Sequence, residues 1–150
     1  MSIKQFSGLS SSDSELLLKT PALVTVLVAG ADQNIDKKEK DWAAKLVHYR
    51  TFTTETRLLH EYYEAVQERF ESDLDALIGS WDADKSQETI TAQLTELNTI
   101  LPQLEADIAD LLKDSWRSLA RKIAEASGGF LGFGSVDENE LKVIDLAMIK

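Results

Sequence analysis

The sequence contains no cysteine among its 150 residues. Disulfide bonds, thiolate metal sites and cysteine nucleophiles are therefore excluded. The lack of cysteine fits a reducing compartment, and residues 1–15 show no apolar segment of the kind found in signal peptides. No apolar run approaches the length that a membrane-spanning helix needs. We therefore expect a cytoplasmic protein without integral membrane contact.

Proline is also scarce, with two residues, and most of the seven glycines lie at the ends of apolar segments. The sequence lacks the period-two alternation of a half-buried strand, and it contains no Asn-Gly or Asp-Gly hairpin turn. Apolar residues recur instead at helical spacing along most of the chain. These patterns predict a single all-α, multihelical domain over residues 1–150.

The first half of the chain predicts four helices. Ser12 has the spacing of a capping box and predicts a short first helix, and Pro21 predicts that a second helix begins there. A third helix is predicted over 36–48, with Trp42 among its apolar positions. A long fourth helix is predicted over 54–79, where Gly79 would end it.

The clearest apolar seam follows in the second half. Its steps alternate between four and three residues, as in a helix packed lengthwise on a partner, and its members are Ile90, Leu94, Leu97, Leu101, Leu104, Ile108 and Leu111. Because Pro102 falls within it, either the helix kinks or one helix ends and another continues on the same face. We expect this seam and helix 54–79 to form two long central antiparallel helices.

A helix-start motif occurs twice in the sequence. In each copy an aliphatic residue precedes an aspartate, two variable residues and a glutamate, which are Asp36 and Glu39 in the first copy and Asp137 and Glu140 in the second. The repetition predicts a weak pseudo-two-fold repeat. Carboxylates at this spacing are typical of helix N-termini, where they accept hydrogen bonds from unpaired N–H groups. Helix capping therefore explains both copies without a ligand.

The first copy contains a third acidic residue, Asp32. Together with Asp36, Glu39 and the nearby Asn34 it provides the oxygen ligands that Ca²⁺ or Mg²⁺ prefers. The stretch is not an EF-hand, because Lys37 occupies the position where that loop requires glycine. Cation binding and helix capping are the two alternatives for these acids.

The motif resembles that of the TerB-like (tellurite-resistance) proteins, with matching residues at 28–40 and 123–141. The resemblance implies a multihelical fold with two long central helices and two symmetry-related motifs whose acids form negative patches for a divalent metal. The acids it implies as ligands in this chain are Asp32, Asp36, Glu39, Asp137 and Glu140. Two residues depart from the family pattern, since Gln33 replaces glycine in the first copy and Ser127 replaces aspartate in the second.

The net charge of −10 is concentrated in one part of the chain, since residues 71–110 hold ten acidic residues and one basic residue. Such a surface repels phosphate backbones, so we expect no nucleic-acid binding. It is either a solvated helix face that keeps the protein soluble or a surface for basic partners or divalent cations. A basic stripe of Lys113, Arg117 and Arg121 follows at helical spacing. Interactions with the helix dipole and ion pairs explain it, or it could bind the acidic face of a second copy in a homodimer.

Residues 129–134 form an unusual Gly-Phe-Leu-Gly-Phe-Gly loop. Its apolar residues, Phe130, Leu131 and Phe133, either fill the core or, if exposed, form a contact for a partner or a membrane surface.

No Walker loop, nucleophile elbow or catalytic triad is present in the sequence. We therefore expect a non-enzymatic acidic helical module. In the first hypothesis it binds a divalent cation through the carboxylate cluster and acts in stress response or as an adaptor. In the alternative it is a metal-free scaffold that binds protein partners through the acidic helix face or the Gly-Phe loop.

Overall fold

The computed structural model describes residues 6–29, 37–53, 57–80, 86–127 and 145–150. Most of these residues lie in α-helices or in a short 3-10 helix at Leu101–Gln103, and they contain no strand. The α-helices are α1 (Ser11–Ala29), α2 (Lys37–Thr53), α3 (Arg57–Gly79), α4 (Ser86–Ile100) and α5 (Ala106–Ser127). The predicted all-α, multihelical fold is confirmed. None of the helices in the described ranges has both the length and the apolarity to cross a membrane.

Helix α1 lies in the centre of the bundle and packs against α3, α4 and α5. Every residue from Thr20 to Ala29 is buried, as expected for a helix that is apolar on all its faces. The two longest helices, α3 and α5, both pack on α1 and touch each other over a small area only. This arrangement differs from the expected central pair of long helices. The reason is that α3 and α5 each have one apolar face, whereas α1 must be covered from all sides.

Pro21 lies inside α1, so the prediction that a second helix begins there is wrong. Proline has no N–H, and it leaves the carbonyl four residues earlier, that of Leu17, without its helical donor. The hydroxyl of Tyr62 on α3 donates to this carbonyl at 2.6 Å. The indole N–H of Trp116 on α5 in turn donates to the Tyr62 hydroxyl at 3.0 Å. Side chains from two other helices thus replace the hydrogen bond that α1 lacks.

Further contacts extend this buried cluster to α2 and to the segment before α1. The rings of Tyr62 and Tyr63 meet edge to face with their centres 5.1 Å apart, and the Tyr63 hydroxyl is hydrogen-bonded to Ser115 on α5. The guanidinium of Arg50, from α2, lies 5.7 Å from the centre of the Tyr63 ring, within the range of a cation–π interaction. Phe6 contacts the Tyr62 ring from the segment before α1.

Helices α2 and α3 form an antiparallel hairpin. Helix α2 extends beyond its predicted end near His48, whereas Gly79 ends α3 as predicted. Three side-chain contacts cross the hairpin, with residue numbers that rise on α2 as they fall on α3. They pair Lys40 with Asp75, His48 with Gln67 and the Thr51 carbonyl with His60.

At Pro102 one helix ends and another begins, which decides between the two predicted alternatives. The apolar face nevertheless shifts across this break. Ile108 and Leu111, which continue the predicted seam, are half-buried, whereas the fully buried line of α5 contains Leu112, Trp116 and Leu119. The two non-helical residues before α5, Leu104 and Glu105, change the helical phase.

We expect Tyr62→Phe to lower the free energy of unfolding by about 1–3 kcal/mol, because it leaves the buried Leu17 carbonyl without a donor. In a Pro21→Ala background the alanine N–H can donate to that carbonyl, so the same Tyr62 substitution should cost less. Urea denaturation of the four proteins of this double-mutant cycle measures the difference. An equal cost of Tyr62→Phe in both backgrounds would contradict the assigned role of Pro21.

Stability should fall at high pH. Burial, the largest cause, raises the pKa of both Tyr62 and Tyr63 above the usual range. In the unfolded chain these tyrosines lose their protons near pH 10, about their ordinary value, whereas the folded protein retains them. Because the unfolded state then binds fewer protons, the free energy of unfolding decreases as pH rises above about 10. Tyr63→Phe should make this decrease shallower, as measured by urea denaturation from about pH 8 to about pH 11. An unchanged slope would show that Tyr63 is not the group involved.

Candidate functional site

All but one of the residues predicted as metal ligands or as a partner loop lie outside the described ranges. These are the acids Asp32, Asp36, Asp137 and Glu140 and the loop residues Phe130, Leu131 and Phe133. Glu39 is the third residue of α2, and only its backbone is described. Among the described residues, no group of three or more His, Cys, Asp or Glu side chains is arranged to hold a metal ion. The carboxylate cluster and the Gly-Phe loop therefore remain predictions.

A groove of about 540 Å³ runs between α2 and α3. We call it the α2–α3 groove, and its lining residues are Asp41, Ala44, Lys45, Val47 and His48 from α2 and Gln67, Glu68, Phe70, Glu71 and Ser72 from α3. Its apolar base consists of the buried Val47 and Phe70. Three carboxylates and one lysine surround this base, so the rim is acidic.

Side-chain contacts join the two helices that form the groove. Its two walls are joined by the hydrogen bond of 2.9 Å between His48 Nδ1 and Gln67 Oε1. Beyond one end, Lys40 is paired with Asp75, and this hydrogen bond is the main reason that the pKa of Lys40 is raised. The side chains of Asp41, Glu68 and Glu71 are exposed. An acidic surface is thus presented at a fixed spacing by two antiparallel helices.

Two aromatic residues lie on the outer surface of α2 beside the groove. Trp42 is 44% exposed and Tyr49 is 64% exposed. They are seven residues apart and therefore lie on the same side of the helix, with the half-buried Leu46 between them. Lys45 is three residues after Trp42 and four before Tyr49, so it connects this aromatic stripe to the groove. The helical pattern had placed Trp42 among the apolar positions of this helix, but the structure exposes it.

Arg69 pairs with two acids outside the groove. It donates hydrogen bonds of 2.8 Å to Glu15 on α1 and to Asp73 on its own helix. The hydrogen bond from Arg69 is the main reason that the pKa of Glu15 is lowered. The contact with Glu15 therefore attaches α3 to α1, and the contact with Asp73 lies within α3.

The basic stripe on α5 contacts residues of its own chain. Lys113 lies 3.3 Å from Asp110, while Arg117 and Arg121 both bond to the segment 145–150. The stripe therefore has intramolecular partners, and its use in a homodimer remains a prediction. Local sequence patterns could not reveal these contacts, because they join residues far apart in the chain.

Comparison with known proteins found no matching family model, no matching curated protein and no matching solved structure. The resemblance to TerB-like proteins stays a prediction.

Proposed function

We propose that this protein is a non-enzymatic helical interaction module that binds a basic segment of another protein on its α2–α3 hairpin. The observation that carries the proposal is the exposure of Trp42 and Tyr49 beside the acidic groove.

The contrast with the other described aromatic residues supports this proposal. Phe6, Tyr62, Tyr63, Phe70 and Trp116 are all buried in the core. An exposed tryptophan or tyrosine keeps a large apolar surface in water, and such residues are enriched where proteins bind one another. The aromatic stripe of Trp42, Leu46 and Tyr49 therefore supplies the apolar part of a contact surface.

The charge around the groove indicates the chemistry of the partner. Asp41, Glu68 and Glu71 outnumber Lys45, and the whole chain carries a net charge of −10. Complementary charges accelerate association and confer specificity, and their effect weakens as salt screens them. The best match is an amphipathic segment whose apolar side covers the aromatic stripe while its lysines or arginines face the groove.

We also propose that the protein catalyses no reaction. The acids of the groove are exposed on an open surface, whereas carboxylates that act as acid or base catalysts typically lie in enclosed pockets. An adaptor or stress-response role and a cytoplasmic location remain predictions.

A synthetic amphipathic helix of lysine and leucine, titrated into ¹⁵N-labelled protein, tests the proposed surface. We expect shift changes at the Trp42 indole and along the groove, and an affinity that falls with salt. Trp42→Ala with Tyr49→Ala should weaken binding by about tenfold or more, as for aromatic residues at the centre of an interface.

A charge-matched control separates this surface from a general attraction to an acidic protein. Glu68→Gln with Glu71→Gln and, on α4, Glu88→Gln with Glu96→Gln remove the same number of charges. Only the first pair should weaken binding strongly. If both pairs have the same effect, the groove is not the site.

As a second candidate function, we propose that Asp32, Asp36 and Glu39 bind a divalent cation. The position of these three acids within eight consecutive residues of the sequence supports such a site. The same position fits helix capping. The two alternatives differ in whether a cation is needed.

Calorimetric titration with Ca²⁺ and Mg²⁺ distinguishes these alternatives. We expect binding heat for the unmodified protein and none for Asp32→Ala with Glu39→Ala. Asp137→Ala with Glu140→Ala, in the copy that has Ser127 instead of an acid, should retain most of the heat. Capping alone predicts no heat in any variant and a loss of about 1 kcal/mol of stability in Glu39→Ala.

A further inference from the structure

Five acidic residues form a row along α3, which we call the acidic stripe. They are Glu61, Glu64, Glu68, Glu71 and Asp75. Their positions alternate between steps of three and four residues, so the row lies on one side of the helix and follows its axis for about 20 Å. Glu68, Glu71 and Asp75 are exposed, and the other two acids are half-buried.

The acids at both ends of the acidic stripe already have basic partners in the chain. These pairs are Glu61 with Arg57, Glu64 with His60 and Asp75 with Lys40. None of the ion pairs among the described residues involves Glu68 or Glu71. The middle of the stripe therefore holds two exposed carboxylates with which a cation of another molecule can pair.

Contacts across the hairpin show which residues of α2 and α3 lie at the same level. One contact joins Lys40 to Asp75, and another joins His48 to Gln67. A step of eight residues along α2 thus matches a step of eight residues back along α3. The two helices run side by side in a constant register over this stretch.

This register places the middle of the acidic stripe beside the aromatic stripe. Glu71 is level with Ala44 and Glu68 with Val47, and all four residues line the α2–α3 groove. Both levels fall between the first and the last residue of the aromatic stripe. Two parallel rows therefore lie side by side for about two helical turns, one aromatic on α2 and one acidic on α3.

Two rows of different chemistry on one surface restrict the conformation of a partner. In an extended strand successive side chains point to opposite faces, so only one of its two rows faces the surface. In an α-helix, residues three, four and seven positions apart form one row, and a row of another chemistry can run directly beside it. A helix can therefore present an apolar row and a basic row to this surface at the same time.

The direction of the two rows determines the direction of such a helix. Each row follows the axis of the helix that carries it, because its steps alternate between three and four residues. A partner helix that crossed the hairpin at a steep angle would contact each row at a single point. A helix that runs lengthwise contacts both rows along their whole common length.

We infer that the basic segment bound by this protein is an α-helix that lies lengthwise on α2 and α3. Its apolar row covers the aromatic stripe, and its lysines or arginines pair with Glu68 and Glu71. A helical partner of this kind rests on the proposed function, to which it adds the conformation and the residue pattern of the bound segment. Amphipathic helices that lay their apolar face on a groove are a recurring mode of peptide recognition.

Two peptides with the same order of side chains test the conformation of the partner. Both have about 14 residues and repeat Leu-Lys-Lys-Leu, which in a helix places a row of leucines beside lysines. The second peptide has two D-leucines in its middle, which disfavour a right-handed helix and leave composition and charge unchanged. We expect the first to bind the ¹⁵N-labelled protein at least about tenfold more tightly, with shifts at the Trp42 indole and the Gln67 side chain.

Three outcomes would overturn the helical partner. Equal affinity of the two peptides would do so and would leave the proposed function in place. Tighter binding of the first peptide without shifts at Trp42 and Gln67 would place the helix on another surface. Binding of neither peptide at millimolar concentration would overturn the helical partner and the proposed function together.

Substitutions within the acidic stripe provide a matched control. Glu68→Gln with Glu71→Gln and Glu61→Gln with Glu64→Gln remove the same number of charges from the same side of α3. Only the first pair should weaken binding of the first peptide by about fivefold, the effect of two exposed ion pairs. An equal effect of both pairs overturns the assigned position of the helix. Circular dichroism checks that each variant is folded, and the comparison of the two peptides on the unmodified chain decides the matter if a variant does not fold.

Discussion

The Leu17 carbonyl is a buried acceptor whose helical donor is missing because Pro21 has no N–H. Leaving such a group unsatisfied costs about 1–3 kcal/mol, and the Tyr62 hydroxyl prevents this loss by donating to it. Trp116 donates to Tyr62, so a single hydrogen-bonded chain sets the positions of α1, α3 and α5 relative to one another. The neighbouring Tyr63 then contacts Ser115 and Arg50, which adds α2 to the same cluster.

The surfaces of the protein follow from this buried cluster. With Val47 inside and Arg50 directed at Tyr63, the opposite side of α2 must face outwards, and it carries Trp42 and Tyr49. Arginines are used mainly within the fold: Arg69 joins α1 to α3, and Arg117 and Arg121 hold segment 145–150. The chain has 26 acidic residues against 16 lysines and arginines, so many exposed side chains are acids, among them those of the α2–α3 groove. The proposed α2–α3 surface lies on helices that the core holds in place, and such elements position a site more precisely than loops do.

Local patterns predicted those parts of the fold that depend on local physics. The C-terminal end of α3 and the break at Pro102 follow from glycine and proline chemistry, which acts within a few residues. The interpretation of Pro21 was wrong because its effect is compensated by Tyr62, 45 positions away from Leu17 in the chain. The seam after Pro102 was misplaced because two non-helical residues changed the helical phase. Trp42 was placed among apolar positions because helical periodicity distinguishes faces but does not show which face a neighbouring helix covers.

The sequence by itself determined the helical class, the acidic charge and the absence of cysteine chemistry, because composition and periodicity are properties of the chain before it folds. It also located the acids Asp32, Asp36 and Glu39 near one another, since they are neighbours along the chain. Only the tertiary structure decided that α1 is the central helix, that the α5 arginines bind segment 145–150, and that Trp42 and Tyr49 face solvent. Each of these features depends on contacts between residues distant in sequence. Such contacts exist only once the described α-helices have packed against one another.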